Sequence, residues 1–243
     1  MGQSTNWEWF GSEEGEVVTC FNGAMRPLSD LHSVARTLAT KAFRVLLIDV
    51  RPTEADTEET YFFENIAGRV EAIWTKTQVT QTHLVGFSFG GAVALLLAGR
   101  QKATIPKLVL VSTAAVFPNW DSKNFAFPEY VSSAFLNLHP LLYRKLEAQY
   151  VLALGNSLSR KSALLQRHAL SLIDLRPLVP RVSSDTLILH GSQDAIVPLE
   201  RAHELAEALP HACLKKKEQG SHLLLAESAP WLLNHLISFL RPS

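Results

Sequence analysis

The sequence predicts an α/β domain built on a mostly parallel central sheet flanked by helices. Three observations carry that reading. Hydrophobic periodicity switches repeatedly between short apolar runs and longer amphipathic stretches, the rhythm of alternating strands and helices. Of the 243 residues, 47% are hydrophobic, which fills one core, so a single domain over 1–243 is expected. Finally, one central block lacks any strand candidate.

Taken in order, "NWEWF" and "EVVTCF" read as two strands separated by the turn-like "GSEEG", so the chain is expected to open with an antiparallel hairpin or meander. "SDLHSVARTLAT" places Leu31, Val34, Ala35 and Leu38 on one helical face. "FRVLLIDV" is a buried strand, "NIAGRVEAIWTKT" a helix, "THLVGF" a strand, "GGAVALLLAGR" a helix and "KLVLVS" a strand. From about 114 to 184 the rhythm stops, and "PEYVSSAFLNL", "PLLYRKLEAQYVLAL" and "SRKSALLQRHALSLI" follow as helical stretches introduced by Pro or by Ser/Asn caps. This block reads as an all-helical insertion over the carboxyl ends of the strands, where open α/β sheets place their binding crevice. "DTLILHG" resumes the strands, followed by a helix over Leu199–Leu209, a strand "ACLKKK" and a final helix "APWLLNHLISFL".

Lys plus Arg balance Asp plus Glu at 23 each, so no global field favours nucleic acid or an anionic membrane. Cys20 and Cys213 are too few for a disulfide framework and read as small buried apolar residues of a reducing compartment. The N-terminus lacks the basic and apolar regions of a signal peptide, and Asn6 occupies the Ser/Thr position of a myristoylation motif. A cytoplasmic protein is expected. No pair of histidines at i, i+4 with a Glu, no cysteine pair and no phosphate-cradling glycine motif supports a metal or a nucleotide, so no cofactor is expected.

Gly86-Phe87-Ser88-Phe89-Gly90 matches G-x-S-x-G between a strand and a helix. At such a turn a nucleophile is held in strained backbone with its hydroxyl exposed, and flanking positions must be small. The plainer reading is a serine that merely caps a helix. A serine nucleophile needs a base and an orienting acid. Asp194, in the loop bracketed by Gly191 and Pro198, is followed by apolar Ala195, Ile196 and Val197, which suggests a buried carboxylate rather than a solvated turn residue. Of the nine histidines, His222 alone lies in a post-strand loop near the C-terminus with a glycine close before it. His190 reads as a structural neighbour of Asp194. The oxyanion donors then fall to Phe89 N–H and to Ala24 N–H of "FNGAM", although Asn22-Gly23 is equally a strong turn dipeptide.

With these residues in this order, the chain resembles the α/β-hydrolase superfamily over nearly its full length. Within it, "WEWFG", "GFSFGG", "LHGSQDAIVP", the "GSH" loop and the helical cap are similar to the pimeloyl-[acyl-carrier protein] methyl ester esterase family of biotin synthesis. The resemblance implies a carboxylesterase with catalytic Ser88, Asp194 and His222 and oxyanion donors Ala24 and Phe89. A thioesterase, a carbon-carbon bond hydrolase and a non-catalytic binding protein of the same fold are the alternatives. Two departures stand out: Asn22 replaces the usual histidine before Gly23, and "DVRPTEADTEETY" is acidic and lacks the usual glycine. In the cap, Arg144, Lys145, Arg160, Lys161 and Arg167 outnumber Glu147, as docking to an acidic acyl carrier protein would need and as a solvated helix face would also show. Phe135, Leu138, Leu142, Leu146, Tyr150 and Leu165 recur at helical spacing and offer packing or an acyl channel.

Overall fold

The computed structural model describes residues 6–117 and 160–241. Their strands are β1 (Trp7–Phe10), β2 (Glu16–Phe21), β3 (Phe43–Ile48), β4 (His83–Phe87), β5 (Lys107–Val111), β6 (Asp185–Gly191) and β7 (Ala212–Lys217). Between and after them run α1 (His32–Ala39), α2 (Phe63–Thr77), α3 (Phe89–Arg100), α4 (Arg160–Leu172), α5 (Leu199–Ala208), α6 (Leu224–Glu227) and α7 (Ala229–Leu240). The sheet order is β1-β3-β2-β4-β5-β6-β7, parallel throughout except for β1.

The expected opening hairpin does not form. β1 pairs antiparallel with β3, Trp7 opposite Ile48 and Phe10 opposite Val45, while β2 lies on the far side of β3. The connection therefore steps across the start of β3, and two glycines permit the close approach. Gly11 has φ +88°, and a Cβ on Gly15 would lie 2.6 Å from the Ala42 carbonyl oxygen and 2.7 Å from the Arg44 nitrogen. The other strands and helices stand where the periodicity puts them, with the first predicted helix split into a 3₁₀ turn, Leu28–Leu31, and α1. No strand occurs in the described part of 114–184. The predicted helices "PEYVSSAFLNL" and "PLLYRKLEAQYVLAL", with Phe135, Leu138, Leu142, Leu146 and Tyr150 and the basic Arg144 and Lys145, lie outside the described residues.

Strand alternation divides the core into two layers. Val45 and Leu47 of β3, with Val85 of β4 and Val109 of β5, face α1 and α7. Leu46 and Ile48, with Leu84, Leu108 and Leu110, face α2, α3 and α4. Every residue of α3 from Phe89 to Gly99 is buried, because the sheet, α2 and the 3₁₀ turn Val179–Arg181 surround it; a helix apolar on all sides is the sequence signature of that position. Leu165 of α4 belongs to this layer. Cys20 is buried as expected, but Cys213 is exposed: β7 is the sheet's edge, and Cys213 takes its outward-facing alternation. No helix among the described residues is long and apolar enough to cross a membrane.

What places α3 is glycine at close range. A Cβ on Gly90 would lie 2.5 Å from the Asn22 oxygen and 2.6 Å from the Phe21 oxygen, and one on Gly91 would strike the Thr113 side chain. Gly90→Ala should push α3 off the end of β2 and cost about 1–3 kcal/mol, read as a lower urea midpoint at unchanged m-value.

Candidate active site

The chain leaves β4 and enters α3 through one residue. Ser88 has φ 51° and ψ −113°, a conformation that a non-glycine side chain adopts only under constraint. Three hydrogen bonds supply the constraint: Ser88 N–H donates to the Val111 oxygen at 2.8 Å, while the Ser88 oxygen accepts from the Thr113 hydroxyl at 2.7 Å and from Gly91 N–H at 2.8 Å. Gly86 can have no side chain, since a Cβ there would overlap the Gly90 oxygen. The turn that the glycine spacing predicts is therefore present, and Ser88 is half-buried at its apex.

The structure brings Ser88, His222 and Asp194 together from three separate loops. His222 Nε2 lies 3.0 Å from Ser88 Oγ, and Nδ1 lies 2.8 Å from Asp194 Oδ2. A carboxylate only accepts, so Nδ1 carries the proton and Nε2 is left to accept from the serine hydroxyl. Asp194 Oδ1 accepts from Ile196 N–H at 2.9 Å and Val197 N–H at 2.8 Å, and its side chain is wholly shielded from solvent. Burial opposes its ionisation, but His222 and the Val197 amide outweigh that penalty and hold the carboxyl below its ordinary range. His190 is the structural neighbour expected: its buried Nε2 donates to the Val197 oxygen at 2.9 Å, and burial favours its neutral form.

The acid and histidine loops are joined to each other. Ser192 N–H donates to the Lys217 oxygen, Gln193 N–H to the Gly220 oxygen and Gln219 N–H to the Ser192 hydroxyl, continuing the β6–β7 pairing into the loops. Ser221 is fixed by Glu227 of α6, which accepts from its backbone N–H at 2.8 Å and from its hydroxyl. Neither α6 nor Glu227 was legible in the sequence as part of the site, because "LLLAES" carries no spacing rule that points back to the histidine loop.

Opposite the serine, "FNGAM" closes a turn in which Arg26 N–H donates to the Gly23 oxygen at 3.2 Å. A Cβ on Gly23 would lie 3.7 Å from the Ser88 Cβ, so the loop faces the serine. Ala24 N–H makes no hydrogen bond among the described residues, and Phe89, first in its helix, has no intrahelical acceptor. Both predicted donors are thus uncommitted. The departure at Asn22 has a definite outcome: its amide donates to Asp49 Oδ1 at 2.9 Å and to the Arg26 oxygen at 2.6 Å, and its own oxygen accepts from Val50 N–H at 3.0 Å. The glycine-free acidic loop is held instead by an ion pair between buried Asp56 and Arg69.

A cavity of about 290 Å³ opens over Ser88 and His222, walled mainly by apolar side chains including Leu31, Val111, Ile196 and Leu224. Of the basic residues that the sequence assigns to a cap, two have described side chains: exposed Lys161 donates to the Glu54 oxygen at 2.9 Å, and Arg167 is half-buried.

A strained serine turn on a seven-stranded, mostly parallel sheet, with an aspartate-held histidine facing it, defines a hydrolase of the α/β class. The model of the alpha/beta hydrolase fold family matches residues 21–168, and the chain belongs to that family. Similar curated proteins include the provisionally named carbamate hydrolase RutD of Stutzerimonas stutzeri (strain A1501), 25% identical over 81% of this chain and 83% of that one. Another is the 2-hydroxymuconate semialdehyde hydrolase of Pseudomonas sp. (strain CF600), 27% identical over 74% and 67%. Among solved structures, the enol-lactonase of Burkholderia xenovorans LB400 has the same fold, with a TM-score of 0.78 at 22% identity, covering 97% of this chain and 96% of that one. The pimeloyl-[acyl-carrier protein] methyl ester esterases do not supply the names of these relatives.

Asp194→Asn should cut turnover by roughly 10⁴-fold through loss of the correct His222 tautomer. Because the native carboxyl titrates below the unfolded value of about 3.9, its ionised form stabilises the fold above that pH and loses this effect as pH falls through the lower native value. The gap in urea midpoint between wild type and Asp194→Asn should therefore be widest near neutral pH and narrow towards pH 3 and below.

Proposed function

We propose that this hydrolase cleaves carboxylic esters of small, mainly apolar acyl groups by two-step acyl transfer. The observation that carries the reading is the 3.0 Å approach of His222 Nε2 to the Ser88 hydroxyl, with Asp194 on the opposite ring nitrogen. His222 takes the Ser88 proton as Oγ attacks the ester carbonyl, and Asp194 stabilises the imidazolium that forms. The N–H groups of Ala24 and Phe89 receive the oxyanion. His222 then protonates the departing alcohol, and water attacks the acyl-enzyme by the same route. The apolar cavity walls favour an acyl chain over a charged group beside the serine.

Within that class, the methyl ester of pimeloyl-[acyl-carrier protein] is the particular substrate we propose, on the sequence resemblance described above. Arg160, Lys161 and Arg167, with Arg144 and Lys145, are the proposed contacts to an acidic carrier. A second reading, hydrolysis of a carbamate or of a semialdehyde such as the names of the two curated relatives carry, uses the same triad with a different leaving group.

Ser88→Ala should lower ester turnover by several orders of magnitude while the circular dichroism spectrum stays native. Assaying methyl esters, thioesters, carbamates and diketones in parallel separates the two readings. The carrier proposal requires faster turnover of the carrier-linked methyl ester than of the same acyl group free, with the advantage abolished by Lys161→Glu with Arg167→Glu; equal rates would refute it.

A further inference from the structure

The oxyanion loop is anchored from a helix far away in sequence. Gln166 of α4, 1% exposed, accepts from Met25 N–H at 2.8 Å, a bond between residues 141 positions apart. Met25 has φ 57°, whereas Ala24 is not among the positive-φ residues; with the bond from Arg26 N–H to the Gly23 oxygen, this is a type II turn over Gly23–Arg26. Type II places its third residue in the left-handed region, where glycine is preferred and methionine is disfavoured. The commoner type I turn differs mainly by a flip of the central peptide, here Ala24–Met25. That peptide's N–H is the group that Gln166 accepts, so the flip would cost a buried hydrogen bond and leave the Gln166 oxygen unpartnered.

Gln166 is itself fixed. Its amide donates to the Tyr61 hydroxyl at 3.5 Å, Tyr61 donates to the Val50 oxygen at 2.6 Å, and Val50 N–H donates to Asn22 Oδ1 at 3.0 Å. The chain of bonds returns to the residue that begins the loop. The Tyr61 ring also stacks on Phe89, whose N–H is the second proposed oxyanion donor.

We infer that Gln166 is a positioning residue for oxyanion stabilisation: by holding Met25 N–H it fixes one of the two peptide planes at the Ala24 Cα and so steadies the turn whose other plane, held by the bond from Arg26 N–H to the Gly23 oxygen, presents Ala24 N–H beside Ser88. The two peptide planes flanking the Ala24 Cα are then both anchored, one through the Gly23 oxygen and the other through Met25 N–H. This rests on the reading of Ala24 as an oxyanion donor. Gln166→Glu keeps an acceptor for Met25 N–H, whereas Gln166→Met keeps similar length and offers none.

The test compares wild type, Ser88→Ala, Gln166→Met and Gln166→Glu by the rate of serine phosphonylation with a fluorophosphonate probe and by kcat and KM on p-nitrophenyl butyrate. Gln166→Met should lower the labelling rate and kcat by about 10- to 100-fold with KM within twofold, and Gln166→Glu should recover most of the loss. A purely structural role would instead lower the melting temperature and leave the rates of the folded fraction unchanged. A wild type that the probe does not label, or labels no better than Ser88→Ala, overturns the hydrolase mechanism and this inference with it. Labelling of wild type at Ser88 with Gln166→Met within twofold overturns the role of Gln166 alone. If the variants do not fold, amide exchange in wild type decides: Met25 N–H should be protected by NMR, and free exchange there would remove the anchor.

Discussion

At the junction of β4 and α3 the backbone must turn from strand to helix within one residue, and a side chain rather than a bare glycine occupies the strained position. A conformation of that kind costs on the order of 1–3 kcal/mol and survives only where the surroundings over-determine it. Here the surroundings are the end of β5 and the segment beyond it, through Val111 and Thr113, and the close glycine contacts of α3 with β2. The rest of the site is arranged around the point this strain defines. A helix less thoroughly buried than α3 could relax the turn by shifting, and Ser88 Oγ would then lose its distance to His222.

The other half of the site is held by polar bonds instead of by packing. The aspartate is committed twice to backbone amides and once to the histidine, so every oxygen of a carboxylate removed from water has a donor, as its burial demands. Burial favours the neutral form of His190 beneath it, whose Nε2–H donates to the Val197 carbonyl. The two halves meet along the β5–β6 pairing, which the bond from Ser112 N–H to the Leu189 oxygen at 2.9 Å extends beyond the end of β5. Alignment of nucleophile and base therefore runs through the consecutive parallel ladders β4–β5, β5–β6 and β6–β7.

Much of this was legible in the sequence because it depends on local rules. The G-x-S-x-G spacing, the apolar run behind it and the position of Asp194 before three apolar residues are all consequences of neighbours in the chain. What was not legible depends on partners far away. The pairing of β1 with β3 is decided by which strand edge is free once β2 and β4 have paired, and the local "GSEEG" turn is equally compatible with a hairpin. Cys213 is indistinguishable from a buried cysteine until β7 is known to be the last strand. Gln166 and Tyr61 carry no motif at all; their place at the oxyanion loop appears only when α4 is laid against the end of β2. Asn22 was legible as a departure, while its bonds to Asp49 and Val50 needed the neighbouring strand.

The chain leaves the sheet after β5 and returns to it as the adjacent strand β6. A segment whose two ends are already neighbours closes a loop entropically, and each doubling of its length adds only about 0.6 kcal/mol to that cost. Length between Phe117 and α4 can therefore change at little entropic cost, while Thr113, the core side chains of α4 and the ladder that aligns the nucleophile with its base stay as they are. The chain can thus lengthen or shorten there without first having to rebuild the alignment of Ser88 with His222.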